Sequence, residues 1–233
     1  MKKKILLMLL SVIMIFSLTA CGKDVKPSKD ASKFKEDYEK LNGEKTKSGS
    51  VYRTITIDEN NPFVYTTMDE IMDKINNKET FIVYFGANWC PWCRSVLPTM
   101  IEVAHNKKID TVYYVDVRPD NDENNDIRDI YSLDDNNEIY LSHEGLSSYH
   151  EFLKKADGIL SEYSSHGVDV DGTKFDNVKR VGAPNFIIVK NGKPTYLTTG
   201  ISENETDPYM ELTDEINNDM QKSFEEFFDK YNK

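Results

Sequence analysis

The chain runs Phe81-Ile82-Val83-Tyr84-Phe85 and, three residues later, Trp89-Cys90-Pro91-Trp92-Cys93. The first run is continuously apolar and aromatic, as expected of a strand covered on both faces. Arg94 to Ala104 reads as the helix that follows, with Pro98 inside it expected to produce a kink. The two cysteines therefore sit where a strand hands over to a helix. A thiol exchanges only as its thiolate, and a free Cys has a pKa of about 8.5, so a reactive Cys needs surroundings that favour negative charge. The unpaired N–H groups and positive dipole end of a helix N-terminus supply them. Cys90 reads as the attacking thiolate, with the lower pKa and the greater exposure. Cys93, one turn on, reads as the resolving thiol.

Two Cys at this spacing would also serve as half of a structural zinc site. The only other Cys is Cys21, however, and His105, His143, His150 and His166 form no pair at the ligand spacing of zinc modules, so no metal is expected. Inert buried thiols are the remaining bland reading. Trp92 lies between the two cysteines, where a large amphipathic ring would be exposed beside the reactive sulfur. A substrate-facing role is the favoured reading for it, with core packing as the alternative for both Trp89 and Trp92.

The N-terminus has the form of an export signal, residues 1–20. Lys2, Lys3 and Lys4 are its charged region and Ile5 to Leu18 an apolar stretch short for a membrane span. Leu18-Thr19-Ala20-Cys21-Gly22 resembles the bacterial lipoprotein signal, which implies that Cys21 is lipid-modified and anchors the chain to a membrane. An ordinary secretory signal with a stray Cys is the alternative. Cleavage would remove three lysines from 29 Lys+Arg and nothing from 40 Asp+Glu, taking the net charge from −11 to −14. Such a surface repels polyanions, so nucleic acid is excluded as a partner. The expected location is outside the cytoplasm, where a dithiol becomes a disulfide unless something reduces it.

Residues 21–50 are rich in Lys, Asp, Ser and Gly and read as a lipidated flexible tether, with Phe34, Tyr38 and Leu41 marking a possible short helix in it. A globular α/β domain is expected over 51–233. Val51, Ile55 and Ile57 suggest a first strand, Thr67 to Ile75 a helix with Thr67 and Glu70 at capping-box spacing, and Val112 to Val117 a further strand. Asn185 to Val189 and Thr195 to Thr198 flank Asn191-Gly192, a hairpin signal. Leu212 through Tyr231 carries an apolar stripe at mostly helical spacing, read as core packing. Between these lie a helix around Ser147 to Tyr163 and two acidic clusters, Asp120 to Asp126 and Asp169-Val170-Asp171-Gly172. Neither cluster matches a calcium loop, and both read as solvated turns.

These pieces together resemble the thioredoxin superfamily. The strand before Trp89-Cys90-Pro91-Trp92-Cys93, Pro98 in the helix, Gly182-Ala183-Pro184 before a strand, Lys190-Asn191-Gly192-Lys193 as a hairpin and Gly200 after it fall in thioredoxin order. The resemblance covers 51–118 and 178–233. It implies an α/β, thioredoxin-like three-layer fold with a central mixed sheet and a mainly helical insert, about 119–178, before the cis-proline strand. It also implies that Pro184 is the cis-proline facing the dithiol, leaving the backbone of Ala183 free to pair with an extended substrate. A trans proline opening a strand is the alternative. Trp89, Pro91, Trp92, Ala183 and Pro184 are the expected substrate contacts.

The chain looks similar to membrane-anchored thioredoxin-like lipoproteins, some of them of the bacteriocin-transport accessory type, more than to the cytosolic general reductase. The resemblance implies an extracytoplasmic thiol–disulfide oxidoreductase, leaning to disulfide reductase, that acts on exported protein thiols or disulfides with a redox partner and needs no cofactor. A non-catalytic accessory or binding lipoprotein for a transporter or envelope partner is the rival. One departure favours that rival: the family's buried acid before the dithiol falls at Tyr84, and its lysine on the next strand at Tyr114. A neutral phenol cannot act as a base near pH 7.

Overall fold

The computed structural model describes residues 27–136, 138–160 and 179–233. The expected export signal, Cys21 and the second acidic cluster at 169–172 lie outside the described residues. The run Phe81–Gly86 is a fully buried strand, β2, at the centre of a five-stranded sheet. Its neighbours are β3 (Val112–Asp116), parallel to it, and β6 (Asn185–Lys190), antiparallel. The edges are β1 (Phe63–Tyr65), parallel to β3, and β7 (Lys193–Thr198), antiparallel to β6. The order is β1-β3-β2-β6-β7, a mixed sheet.

Alternate residues of β2 face opposite helical layers. Tyr84 stacks on Phe186, which meets Phe224 of the C-terminal helix α5 (Asp214–Asn232). Phe85 turns the other way, onto Phe152 of α4 (Ser147–Ala156). Helix α2 (Met68–Asn76) packs beside α4, and α3 (Pro91–Asn106) packs beside α5. The arrangement is three-layered. The capping box of α2 is formed as expected: Thr67 accepts from the Glu70 N–H, and Glu70 reaches back to the Thr67 N–H. Helix α3 runs continuously through Pro98.

One cross-strand row decides the character of the core. Tyr65, Tyr114, Tyr84 and Phe186 are register partners across β1, β3, β2 and β6, with ring centroids 5.1, 5.3 and 4.4 Å apart in turn. Each such pair adds about 0.5–1.5 kcal/mol beyond the area it buries. The sheet is tied at its far end by the Asn191-Gly192 turn, whose residues have φ of 50° and 73°. Those positive values suit a primed hairpin turn. A Cβ on Gly192 would lie 2.2 Å from the carbonyl oxygen of Ile75, so glycine is required there by packing as well as by conformation.

Four expectations are corrected. The segment read as a tether, 21–50, contains α1 (Lys29–Glu39), which Ser28 caps. Ala31, Phe34 and Tyr38 of that helix are buried at 0–2% exposure against the sheet, so the folded domain begins before residue 51. Polar composition concealed a narrow apolar stripe at i, i+3 and i+7. Next, Val51, Ile55 and Ile57 form no strand. The N–H of Ile55 and its carbonyl bond the Asn42 amide, and those of Ile57 bond Glu39 and Lys35, so side chains satisfy what a neighbouring strand would.

The segment expected as a mainly helical insert is mixed. It opens with two 3₁₀ turns, Pro119–Asn121 and Glu123–Asn125, continues as an antiparallel ribbon of β4 (Ile130–Leu133) and β5 (Ile139–His143), and then enters α4. Its first acidic cluster is solvated only in part. Asp126 is 2% exposed and clamped between Arg118 and Arg128. Among the described residues, no helix is long and apolar enough to cross a membrane.

Candidate functional site

Cys90 is the N-cap of α3, and Pro91 is its first residue, where a missing N–H costs nothing. The strand therefore ends with a sulfur facing the open end of a helix. Cys90 Sγ accepts a hydrogen bond from the Cys93 N–H at 3.3 Å and donates to the Ala183 carbonyl at 3.2 Å. The Ala183–Pro184 bond is cis, and Pro184 is buried. Residues 93 apart in sequence thus form one site.

The two thiols are free and unequal. Cys90 is 5% exposed and Cys93 fully enclosed. Burial pushes the Cys90 thiol up, but bonds from the Cys93 thiol and from the Cys93 and Trp92 N–H groups outweigh it. With the Arg128 guanidinium adding its field, Cys90 lies below the usual thiol range. Burial and the neighbouring Cys90 sulfur drive Cys93 far above that range, against a bond from the Tyr84 hydroxyl that opposes the rise. The site is built to hold one thiolate, on Cys90.

Arg94 is fully buried one residue past Cys93. It donates to the carbonyls of Arg53 (3.0 and 2.8 Å), Tyr38 (2.7 Å) and Asn88 (3.2 Å), and to the Asn42 side chain. All of these acceptors are uncharged, so the guanidinium satisfies its geometry and keeps its positive field beside the dithiol. Arg128 is held from the other side by a bidentate pair with Asp126, at 2.8 and 2.9 Å. Asp126 also accepts from Arg118 at 2.7 Å, which leaves one carboxylate between two guanidinium groups.

Trp89 is half-buried. Its indole N–H donates to the Arg118 carbonyl at 3.1 Å, and the Arg118 guanidinium carbon lies 5.4 Å over its ring. It lines a groove of about 1050 Å³ whose walls come from α1, the turns at 119–127 and the end of β5. Trp92, in the first turn of α3, is half-buried against the edge of the core. The structure thus brings Cys90, Cys93, Pro91, Ala183 and Pro184 together, with Trp89 and Trp92 flanking them. Cys21 lies outside the described residues. No group of three or more His, Cys, Asp or Glu among the described residues is placed to hold a metal ion.

A family model described as Thioredoxin matches residues 62–162. The domain has a thioredoxin-like fold. The match takes in the dithiol and runs on through residues 119–160, part of the segment read as an insert, and ends before Ala183–Pro184. Among solved structures, thioredoxin O2 from Arabidopsis thaliana in its oxidized state matches at 18% identity, covering 61% of this chain and 85% of that one. The TM-score is 0.30. No curated protein sequence gives a significant match.

The groups that surround the dithiol were not legible in the sequence. Arg94 had a signal: four residues after Cys90, it falls on the same helix face, where a charge needs a reason. Arg128 had none, because its approach to Cys90 depends on how the segment after β3 folds back. Tyr38 was hidden in a segment read as tether.

Proposed function

We propose that this chain is an extracytoplasmic thiol–disulfide oxidoreductase of exported proteins, working mainly as a disulfide reductase and anchored to a membrane through lipid on Cys21. The observation that carries the activity is the Cys90 sulfur at a helix N-terminus, depressed in pKa and 3.2 Å from the Ala183 carbonyl. The reductive direction and the anchor rest on the sequence resemblance to anchored reductive members of the superfamily.

In the reductive direction the Cys90 thiolate attacks one sulfur of a substrate disulfide. That S–S bond breaks, the other substrate sulfur leaves and takes a proton, and a mixed disulfide joins Cys90 to substrate. The substrate backbone lies along Ala183 and Pro184, with Trp89 and Trp92 supplying apolar contact beside it. Cys93 then attacks Cys90 Sγ. The Cys90–Cys93 disulfide forms, the mixed disulfide breaks, and the second substrate thiol departs with the proton that Cys93 gave up. An external thiol partner restores the dithiol.

Trapping tests this reading. In Cys93→Ala the second step is removed, so Cys90 should accumulate stable mixed disulfides with exported proteins, and Cys90→Ala should accumulate none. Equal recovery of partners from both variants would favour a non-catalytic docking role. Cys21→Ala should release the protein from membranes or block its processing; unchanged membrane association would remove the anchor.

A further inference from the structure

Beneath Cys93 lies a chain of buried phenols that the exchange reaction leaves unassigned. The Tyr84 hydroxyl favours the Cys93 thiolate, Tyr38 meets Tyr84 hydroxyl to hydroxyl at 3.1 Å, and Tyr114 lies beside Tyr38 with ring centroids 6.3 Å apart. All three side chains are at most 2% exposed. A Cβ on Gly86 would lie 2.1 Å from the Tyr84 hydroxyl oxygen, so the absence of a side chain at 86 is what lets that phenol reach under the dithiol.

Each hydroxyl has one proton to donate. If the Tyr84 proton points at Cys93, its oxygen is free to accept from Tyr38. The order then runs one way, Tyr38 to Tyr84 to sulfur. Bonds so aligned polarise one another and strengthen the last, which matters most when its acceptor becomes an anion. Burial keeps all three phenols far above their ordinary pKa, so they are neutral donors at any working pH.

We propose that Tyr84 is a catalytic hydrogen-bond donor to Cys93 during the release step, and that Tyr38, delivered by α1, is the positioning residue that holds it. This rests on the exchange reaction proposed above. When Cys93 gives up its proton, its sulfur becomes an anion in an enclosed site. The Tyr84 O–H stabilises that anion without placing a second negative charge beside Cys90, as a carboxylate would. Cys93 Sγ then bonds to Cys90 Sγ, the bond from Cys90 to substrate breaks with its electron pair passing to the substrate sulfur, and that sulfur takes up the proton.

The test isolates this step. A mixed disulfide of 2-nitro-5-thiobenzoate is formed on Cys90 of the full chain, and release of the coloured thiol is followed against pH for wild type, Tyr84→Phe and Tyr38→Phe. Tyr84→Phe should slow release about tenfold or more and move its pH profile to higher pH, as loss of a bond to a charged sulfur requires. Tyr38→Phe should act in the same direction and less. The rate of Cys90 alkylation should not change in either variant. Release at the wild-type rate with an unmoved pH profile in Tyr84→Phe overturns the inference. Should Tyr84→Phe fail to fold, an unmoved profile in Tyr38→Phe does so instead. A wild type that never releases the coloured thiol overturns the exchange reaction itself, and this inference with it.

Discussion

At the scale of single residues, the dithiol is asymmetric by construction. Cys90 receives backbone N–H groups and the field of Arg128, whereas Cys93 is fully enclosed and lies beside a sulfur that carries the charge first. Iodoacetamide at mildly acidic pH should therefore label Cys90 well ahead of Cys93 in the reduced protein, read by peptide mass mapping. Preferential labelling of Cys93 would reverse the roles. This much was legible in the sequence, because strand, Cys and Pro in that order fix a helix N-terminus locally. The cations were not. Arg94 and Arg128 act through space, and their approach to the sulfurs depends on carbonyls and a carboxylate far away in the chain.

Among the elements, α1 connects composition to chemistry. Phe34 stacks on Phe63 at 4.0 Å and on Tyr38 at 4.5 Å. The Tyr38 carbonyl receives Arg94, and its hydroxyl meets Tyr84. Phe34→Ala should cost about 3–5 kcal/mol of stability, the usual loss for a large core aromatic, measured by urea unfolding. A change within about 0.5 kcal/mol would return α1 to the status of a tether. Long periodic or continuous patterns such as β2, α2 and the Asn191-Gly192 hairpin were readable because local physics decides them. Helix α1 was not, since a three-residue stripe in a polar segment becomes core only when a sheet face waits for it. The ribbon of β4 and β5 escaped for a related reason: its flanks are as polar as a loop, and pairing alone makes it a strand.

For the molecule as a whole, net charge and buried carboxyls set how stability responds to pH. Burial pushes Asp116 up to about 6, with the Arg118 N–H opposing and Asp37 and Asp120 adding to the rise. A carboxyl whose folded pKa exceeds its unfolded value of about 3.9 favours folding most when protonated. Its contribution is complete below about pH 4 and is lost as pH rises through 6. Asp116→Asn cannot ionise and keeps an oxygen for the Arg118 N–H, which bonds Asp116 at 3.0 Å. The variant should melt higher than wild type at pH 8, by at most about 3 kcal/mol in stability, with the gap closing towards pH 4. A gap independent of pH would show that Asp116 ionises freely in the fold.

The same whole-molecule view gives the most direct test of exchange chemistry. Reduced protein is mixed with a stoichiometric peptide disulfide, and the Cys90–Cys93 state is read by mass together with the peptide thiols released. Formation of one Cys90–Cys93 disulfide for each peptide disulfide reduced, abolished in Cys90→Ala, is the predicted result. Thiols that stay free at Cys90 and Cys93 while the peptide remains oxidised, in a folded protein at neutral pH, would contradict it.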